Sequence, residues 1–231
     1  MNRLLDVVTS LAASVTRLGA GLSATEPDRR PKKRLELYEF ESCPYCRKVR
    51  EALTELDLEA MIYPCPKGGK RFRAKMKKMG GKERYPYLVD PNTGKAMYES
   101  DDIVRYLFET YGGREPGIRL TGPIADVTSP LASAWRPFSG TRVRPSTAPK
   151  QPLELWSFEA SPYSRFARET LCELEIPYVL HNVGKDSPGR EAFVRRSGKM
   201  MVPYLADPNT GREMFESADI RKYLIKTYGA R

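Results

Sequence analysis

Apolar and polar positions follow two rhythms along this chain, a short strand-like one and a longer helical one. Leu35, Leu37 and Phe40 form a brief apolar run stopped by Ser42 and Cys43, which predicts a strand. Val49, Ala52, Leu53 and Leu56 then recur at helical spacing, with Pro44 in the first turn, where a missing N–H does no harm. Ala60 to Tyr63 predicts a second strand stopped by Pro64 and Pro66, and Phe72 to Met79 a short basic helix ended by Gly80-Gly81. Tyr87 to Val89 and Ala96 to Tyr98 flank the turn-rich Asp90-Pro91-Asn92-Thr93-Gly94, a hairpin signature. Ser100 is placed to cap a last helix with Ile103, Tyr106 and Leu107 inward and Gly112 at its end. The predicted order is βαβαββα.

The order occurs twice. Residues 35–58 align without gaps with 153–176, matching at 13 of 24 positions, and 85–112 with 202–229, matching at 18 of 28. This is an internal duplication. It divides the 231 residues into an N-terminal helix and basic linker (1–33), a first repeat (34–113), a Pro/Gly-rich segment expected to pack on the domains (114–151) and a second repeat (152–231). Two small cores are expected rather than one large one.

Outside the repeats, Leu4, Leu5, Val8, Leu11, Val15 and Leu18 approximate one helical face, expected to pack on the body of the protein, with contact to a membrane surface as the alternative. Asp6, Thr9, Ser10 and Arg17 interrupt it, so it matches a secretory signal poorly, and no later run is long and apolar enough to span a bilayer. Four cysteines, Cys43, Cys46, Cys65 and Cys172, are too few for a secreted disulfide scaffold, which points to a reducing, cytoplasmic setting. A formal net charge of +10 favours anionic partners. Nine Lys or Arg lie between Lys67 and Arg84: a solvated face, or a docking surface for an acidic protein, with nucleic acid disfavoured because Phe72 alone is available there for stacking.

The chemistry concentrates at Cys43-Pro44-Tyr45-Cys46. Between a strand and a helix, Cys43 falls at the helix N-terminus, where unpaired N–H groups and the helix dipole favour a thiolate, with Arg47, Lys48 and Arg50 adding positive charge nearby. Zinc is a poor alternative, since there is no second CxxC and His181 is the one histidine; no metal is predicted. The second repeat carries Ser161-Pro162-Tyr163-Ser164 at the same place and cannot perform dithiol exchange there. Cys65 has no thiol counterpart in the second repeat, and Cys172 and His181 are expected to pack.

The strand–CPYC–helix entry, the Tyr-Pro before the hairpin and the Glu-Ser-Asp opening the last helix together resemble the glutaredoxins and the N-terminal domains of glutathione transferases, over residues 34–112 and 152–229. The resemblance implies an α/β fold of two tandem thioredoxin-like domains, each a four-stranded mixed sheet flanked by helices. It implies a glutathione-linked thiol–disulfide oxidoreductase in which Cys43, the more exposed thiol, attacks, and Cys46 or glutathione resolves. It implies Pro86 as a cis-proline presenting the backbone of Tyr85 to glutathione, with Tyr45, Glu99, Ser100 and Asp102 completing the glutathione site. Ser161, Pro203, Glu216 and Ser217 form a possible second site. The helical domain that a glutathione transferase places after this fold is replaced by the second repeat. Transferase or peroxidase-like activity, and a non-catalytic thioredoxin-fold binding protein, therefore stay open. So do an Fe–S cluster between two CPYC sites of a dimer, and the oligomeric state.

Overall fold

The computed structural model describes residues 3–230. Met1, Asn2 and Arg231, which bound the expected spans 1–33 and 152–231, lie outside them. Helix α1 (Arg3–Thr16) precedes the first repeat: β1 (Leu35–Glu39), α2 (Pro44–Glu55), β2 (Ala60–Pro64), α3 (Arg73–Gly80), β3 (Tyr87–Asp90), β4 (Lys95–Met97) and α4 (Ser100–Leu107), continued by a π turn over Phe108–Gly112. The connecting segment holds another helix, α5 (Pro123–Ala134), with Pro130 inside it. The second repeat runs β5 (Leu153–Ser157), α6 (Pro162–Glu173), β6 (Tyr178–Asn182), α7 (Arg190–Ser197), β7 (Tyr204–Asp207), β8 (Arg212–Met214) and α8 (Ser217–Tyr228). Both repeats are thioredoxin-like.

The two expected four-stranded sheets are one eight-stranded sheet, ordered β4-β3-β1-β2-β6-β5-β7-β8. β2 and β6 pair antiparallel, with Met61 opposite Val179 and the equivalent pairs Ala60–Leu180 and Ile62–Tyr178 on either side. Met61 and Val179 are matching positions of the duplication, so an approximate twofold passes between them. The pairing satisfies the edge that each repeat would otherwise leave open. The expected two small cores also merge: Leu37, Val49 and Ile62 belong to one buried cluster with Leu155, Leu171 and Leu180. On the other face of the sheet Tyr38 meets Met76 of α3, so the basic run around α3 lies opposite α2 and α4.

The hairpin motif present in both repeats is a structural clamp. Asp90 accepts hydrogen bonds from the hydroxyls of Tyr106 (2.6 Å) and Tyr111 (2.5 Å) and from the Asn92 amide (2.8 Å); Asp207 repeats this with Tyr223, Tyr228 and Asn209. Burial works to raise both carboxyls, but these bonds hold them below the ordinary carboxylate value.

Helix α1 reverses the expected packing. Leu5, Val8, Leu11, Val15 and Leu18 are exposed, while Asp6, Ser10, Ala13 and Arg17 are buried. The reason is the surface it meets, which is polar: Ser10 Oγ donates to Pro162 O (2.8 Å), Ser14 Oγ to Ala160 O (2.8 Å), and Arg17 binds Glu51 through Nε–Oε1 (2.8 Å) and Nη2–Oε2 (2.6 Å). Helix α5 does the same at the first repeat, where Ser129 Oγ donates to Pro44 O (2.6 Å), while Arg136, just past its end, binds Glu169 of α6 bidentately (2.6 and 2.8 Å). The two helices are themselves duplicates: residues 8–17 and 127–136 match at six of ten positions, including Ser10/Ser129 and Arg17/Arg136. The duplicated unit therefore includes its leading helix, and each helix covers the opposite repeat. After α1, Gly21 has φ +69° and a Cβ there would lie 2.9 Å from Glu159 Cβ; after α5, Gly140 has φ +68° and a Cβ would lie 2.6 Å from Glu41 Cβ. Both close approaches favour glycine.

A buried ionic layer joins α2 and α6 across the twofold. Arg50 donates to Glu159 (Nε–Oε2, 2.9 Å) and to Glu39, and Arg168 reaches Glu41 (3.1 Å) and Glu159 (2.9 Å). Arg47, Lys48 and Arg50, placed near the thiols by sequence, thus point into the protein: all three are buried. Among the described residues no helix is long and apolar enough to cross a membrane.

Candidate active site

Strand β1 ends at Glu39 and the chain turns through Phe40 to Cys43, whose amide donates back to Phe40 O (3.0 Å). Cys43 is the N-cap of α2, with extended backbone (φ −68°, ψ 121°), and its Sγ accepts from Cys46 N (3.3 Å). Pro44 follows as the first helical residue, so the thiol replaces the capping oxygen of an ordinary helix start. Burial acts to raise both thiols. At Cys43 the hydrogen bonds donated by the Cys46 thiol and by the Cys46 and Tyr45 amides outweigh burial, and the pKa falls below the usual thiol value. At Cys46 burial, the neighbouring Cys43 and the Glu39 carboxylate push it well above. The pair is asymmetric: Cys43 ionises first and Cys46 keeps its proton.

Cys43 is not the exposed thiol expected from its position; it is 4% exposed, and Cys46 is fully buried. Helix α5 covers it. Besides the Ser129–Pro44 bond, Lys48 Nζ bridges Asp101 of α4 and Asp126 of α5 (2.9 Å to the latter), and Asp101 Oδ2 accepts from Gly122 N (3.4 Å). Tyr45, beside the thiols, remains exposed.

The other predicted residues divide. The Tyr85–Pro86 bond is cis, and the Tyr85 ring packs edge-on to Phe40 (5.8 Å) with Arg73 over its face (5.0 Å). Ser100 is not the cap of α4 but its first residue; Glu99 holds the cap position at φ +63°, and no side chain caps the helix. Glu99 is exposed and paired with Arg84 (2.5 Å), and Asp102 faces Arg105 (3.6 Å), so Asp101, not Asp102, is the acid that meets α2. Cys65 is fully buried, its thiol raised by burial, and Cys172 is buried with Sγ against Gly140 O (3.3 Å). His181 bonds Glu59 (2.5 Å) and stacks on Trp156 (4.3 Å). Among the described residues no group of three or more His, Cys, Asp or Glu is disposed to hold a metal.

In the second repeat Ser161 caps α6, its Oγ accepting from Ser164 N (3.2 Å), and the Val202–Pro203 bond is cis. Glu216 takes the cap position of α8 at φ +66°, and Ser217 is its buried first residue. Phe166 replaces Lys48 and Ala218 replaces Asp101. With the bridge gone, a cleft of about 250 Å³ opens between Asp6, Val7, Tyr163, Phe166, Ser217 and Arg221. Asp101, Asp126 and Ser129 escaped the sequence reading, as did the bridging role of Lys48. Their signal was available in the duplication: Lys48 and Asp101 are both replaced in the second repeat, as expected of partners.

An N-cap at the strand-to-helix turn (a thiol in the first repeat, a serine in the second), a cis-proline opening the hairpin and a last helix starting at Glu-Ser define a thioredoxin-like fold in two copies. Residues 37–115 and 155–231 both match the glutathione S-transferase N-terminal domain, and the chain belongs to that family. Among solved structures it is similar to the Bombyx mori glutathione transferase BmGSTD1 (27% identity over 37% of this chain and 39% of that one, TM-score 0.31). It is also similar to Leishmania TDR1, a trimeric glutathione transferase (15% identity over 84% of this chain and 68% of that one, TM-score 0.30). The chain thus spans about two fifths of the silkworm enzyme it matches. No curated protein sequence matches it.

Proposed function

We propose that the first repeat is a glutathione-linked thiol–disulfide oxidoreductase and that the second repeat binds without catalysing. The observation that carries the reading is the split of the thiols: Cys43 is lowered by its N-cap hydrogen bonds while Cys46 is raised. The Cys43 thiolate attacks one sulfur of RS–SR′, forming Cys43–S–SR and releasing R′S⁻, which takes up a proton. Glutathione thiolate then attacks the outer sulfur, that of R, releasing GS–SR and regenerating the Cys43 thiolate, or Cys46 attacks the Cys43 sulfur, giving the Cys43–Cys46 disulfide and RS⁻, which takes up the Cys46 proton. Two further glutathiones reduce that disulfide to the dithiol and become GSSG. Tyr45, the Tyr85 backbone, Glu99, Ser100 and Asp102 are the groups offered to glutathione, its ammonium facing the exposed acids. Since α5 shields Cys43, turnover includes withdrawal of α5 from the α2 N-terminus.

The second repeat supports binding because its cleft is open where the first is bridged, while Ser161 and Ser164 supply no thiol. The deciding assay is glutathione-dependent reduction of a small glutathionylated disulfide. Cys43→Ser is expected to abolish turnover and Cys46→Ser to retain it by the glutathione route. Full activity in Cys43→Ser refutes the reading.

A further inference from the structure

The outward faces of α1 and α5 form a surface that does not suit water. On α1 the exposed Val8, Leu11 and Val15 lie three and four residues apart, with valine and leucine alternating; this is the spacing of a helix-pairing seam, and valine and leucine in that alternation favour two strands. Val127, Leu131 and Trp135 continue the surface on α5, Trp135 half exposed and Leu131 55% exposed. The two helices are tied side by side, Trp135 Nε1 donating to Thr16 Oγ1 (3.1 Å), so the face is preorganised.

We propose that this α1–α5 face is the interface of a homodimer, the helices of one copy packing on those of a second about a twofold. Area argues for it. The exposed apolar side chains of the two helices present roughly 1,000 Å², above the few hundred Å² that monomers leave uncovered and comparable with the ~800 Å² per partner of a stable dimer. Charge argues for a copy of itself. Between Asp6 and Arg17, both buried, α1 carries no charged residue, and the exposed charge on α5 is a single acid, Asp126. An anionic lipid surface would call for a basic rim, yet the basic run lies on α3, across the sheet. Arg144 and Arg221, beside the face, are paired with Glu173 and Asp6.

The test is light scattering of the full chain after size exclusion at micromolar concentration. Wild type is expected at twice the monomer mass. Leu11→Glu and Leu131→Glu are expected to be monomeric with unchanged far-ultraviolet circular dichroism, because both positions already face outward. Leu11→Gln, a milder change of similar size, is expected to raise the dimer Kd roughly 100-fold, from loss of buried aliphatic area on both copies. A monomeric wild type overturns the proposal. So does a dimer untouched by these substitutions, or a monomer that sediments with phosphatidylcholine–phosphatidylglycerol vesicles.

Discussion

Replacing Glu39 by glutamine isolates one titration in the buried ionic layer. Glu39 is buried at the end of β1; burial raises its carboxyl to about 7, with Glu41 and Glu159 adding to the rise and Arg50 and Arg168 opposing it. An unfolded glutamate titrates near 4.3, so between these values the folded chain holds a proton that the unfolded chain has released. Relative to an always ionised group, this contribution is fully present below about pH 4.3 and is lost as pH rises through 7. The whole swing is about 4 kcal/mol, of which about 2 kcal/mol falls between pH 5.5 and 8. Glutamine keeps an acceptor for Arg50 but cannot titrate. Urea unfolding of both proteins across that range is expected to show wild type losing about 2 kcal/mol relative to Glu39→Gln as pH rises. The window avoids Glu159, whose carboxyl burial acts to raise but which Arg168 and Arg50 hold far below the usual value; its stabilisation is lost only toward acid. A difference independent of pH refutes the assignment of a protonated Glu39. The charge of Glu39 also raises both thiols, so the midpoint of Cys43 alkylation is expected to move down in the variant.

Arg17→Met leaves Glu51 buried without its bidentate partner and is expected to destabilise by about 3–5 kcal/mol in urea unfolding, with Arg17→Met/Glu51→Leu recovering most of the loss. Asp126→Ala removes the α5 end of the Lys48 bridge, a pair half open to solvent on the Asp126 side. It is expected to speed alkylation of Cys43 by about twofold to fivefold without changing the thiol pH midpoint. An unchanged rate would show that α5 does not gate the thiol.

The strand, turn and helix of each repeat were legible because local rules set them: Pro44 starts a helix, Asp90 to Gly94 makes a turn, Leu35 and Leu37 face one side of a strand. The capping thiol was legible for the same reason. What was not legible depends on surfaces that meet only in three dimensions. The pattern of Ala60 to Ile62 says that a strand forms, but not that its free edge pairs with its own duplicate. Leu5 to Leu18 define an apolar stripe, and the rule that such stripes face inward fails because α1 sits on backbone carbonyls and carboxylates. The exposure of Cys43 was misjudged since its cover, Asp126 and Ser129, comes from a segment whose prolines and glycines disguised a helix.

The exchange of leading helices explains why a repeat without thiols is retained. The thiol-bearing repeat does not pair all its buried charges by itself: Arg50 takes Glu159 as well as its own Glu39, and Glu41 takes Arg168, both Glu159 and Arg168 coming from the second repeat. It also cannot cover its own α2, because α5 leads the second repeat and α1 belongs to the opposite site. A chain ending at residue 113 would lose Glu159, Arg168 and the strand that pairs with the β2 edge at once, and a charge that stays buried without its partner costs about 3–5 kcal/mol against a whole stability of roughly 5–15 kcal/mol. Such a chain is expected to lack a cooperative urea transition, while the full chain with Ser161→Ala and Ser164→Ala keeps both folding and disulfide reduction. A cooperative, active 1–113 fragment would show instead that the second repeat has been retained for binding alone.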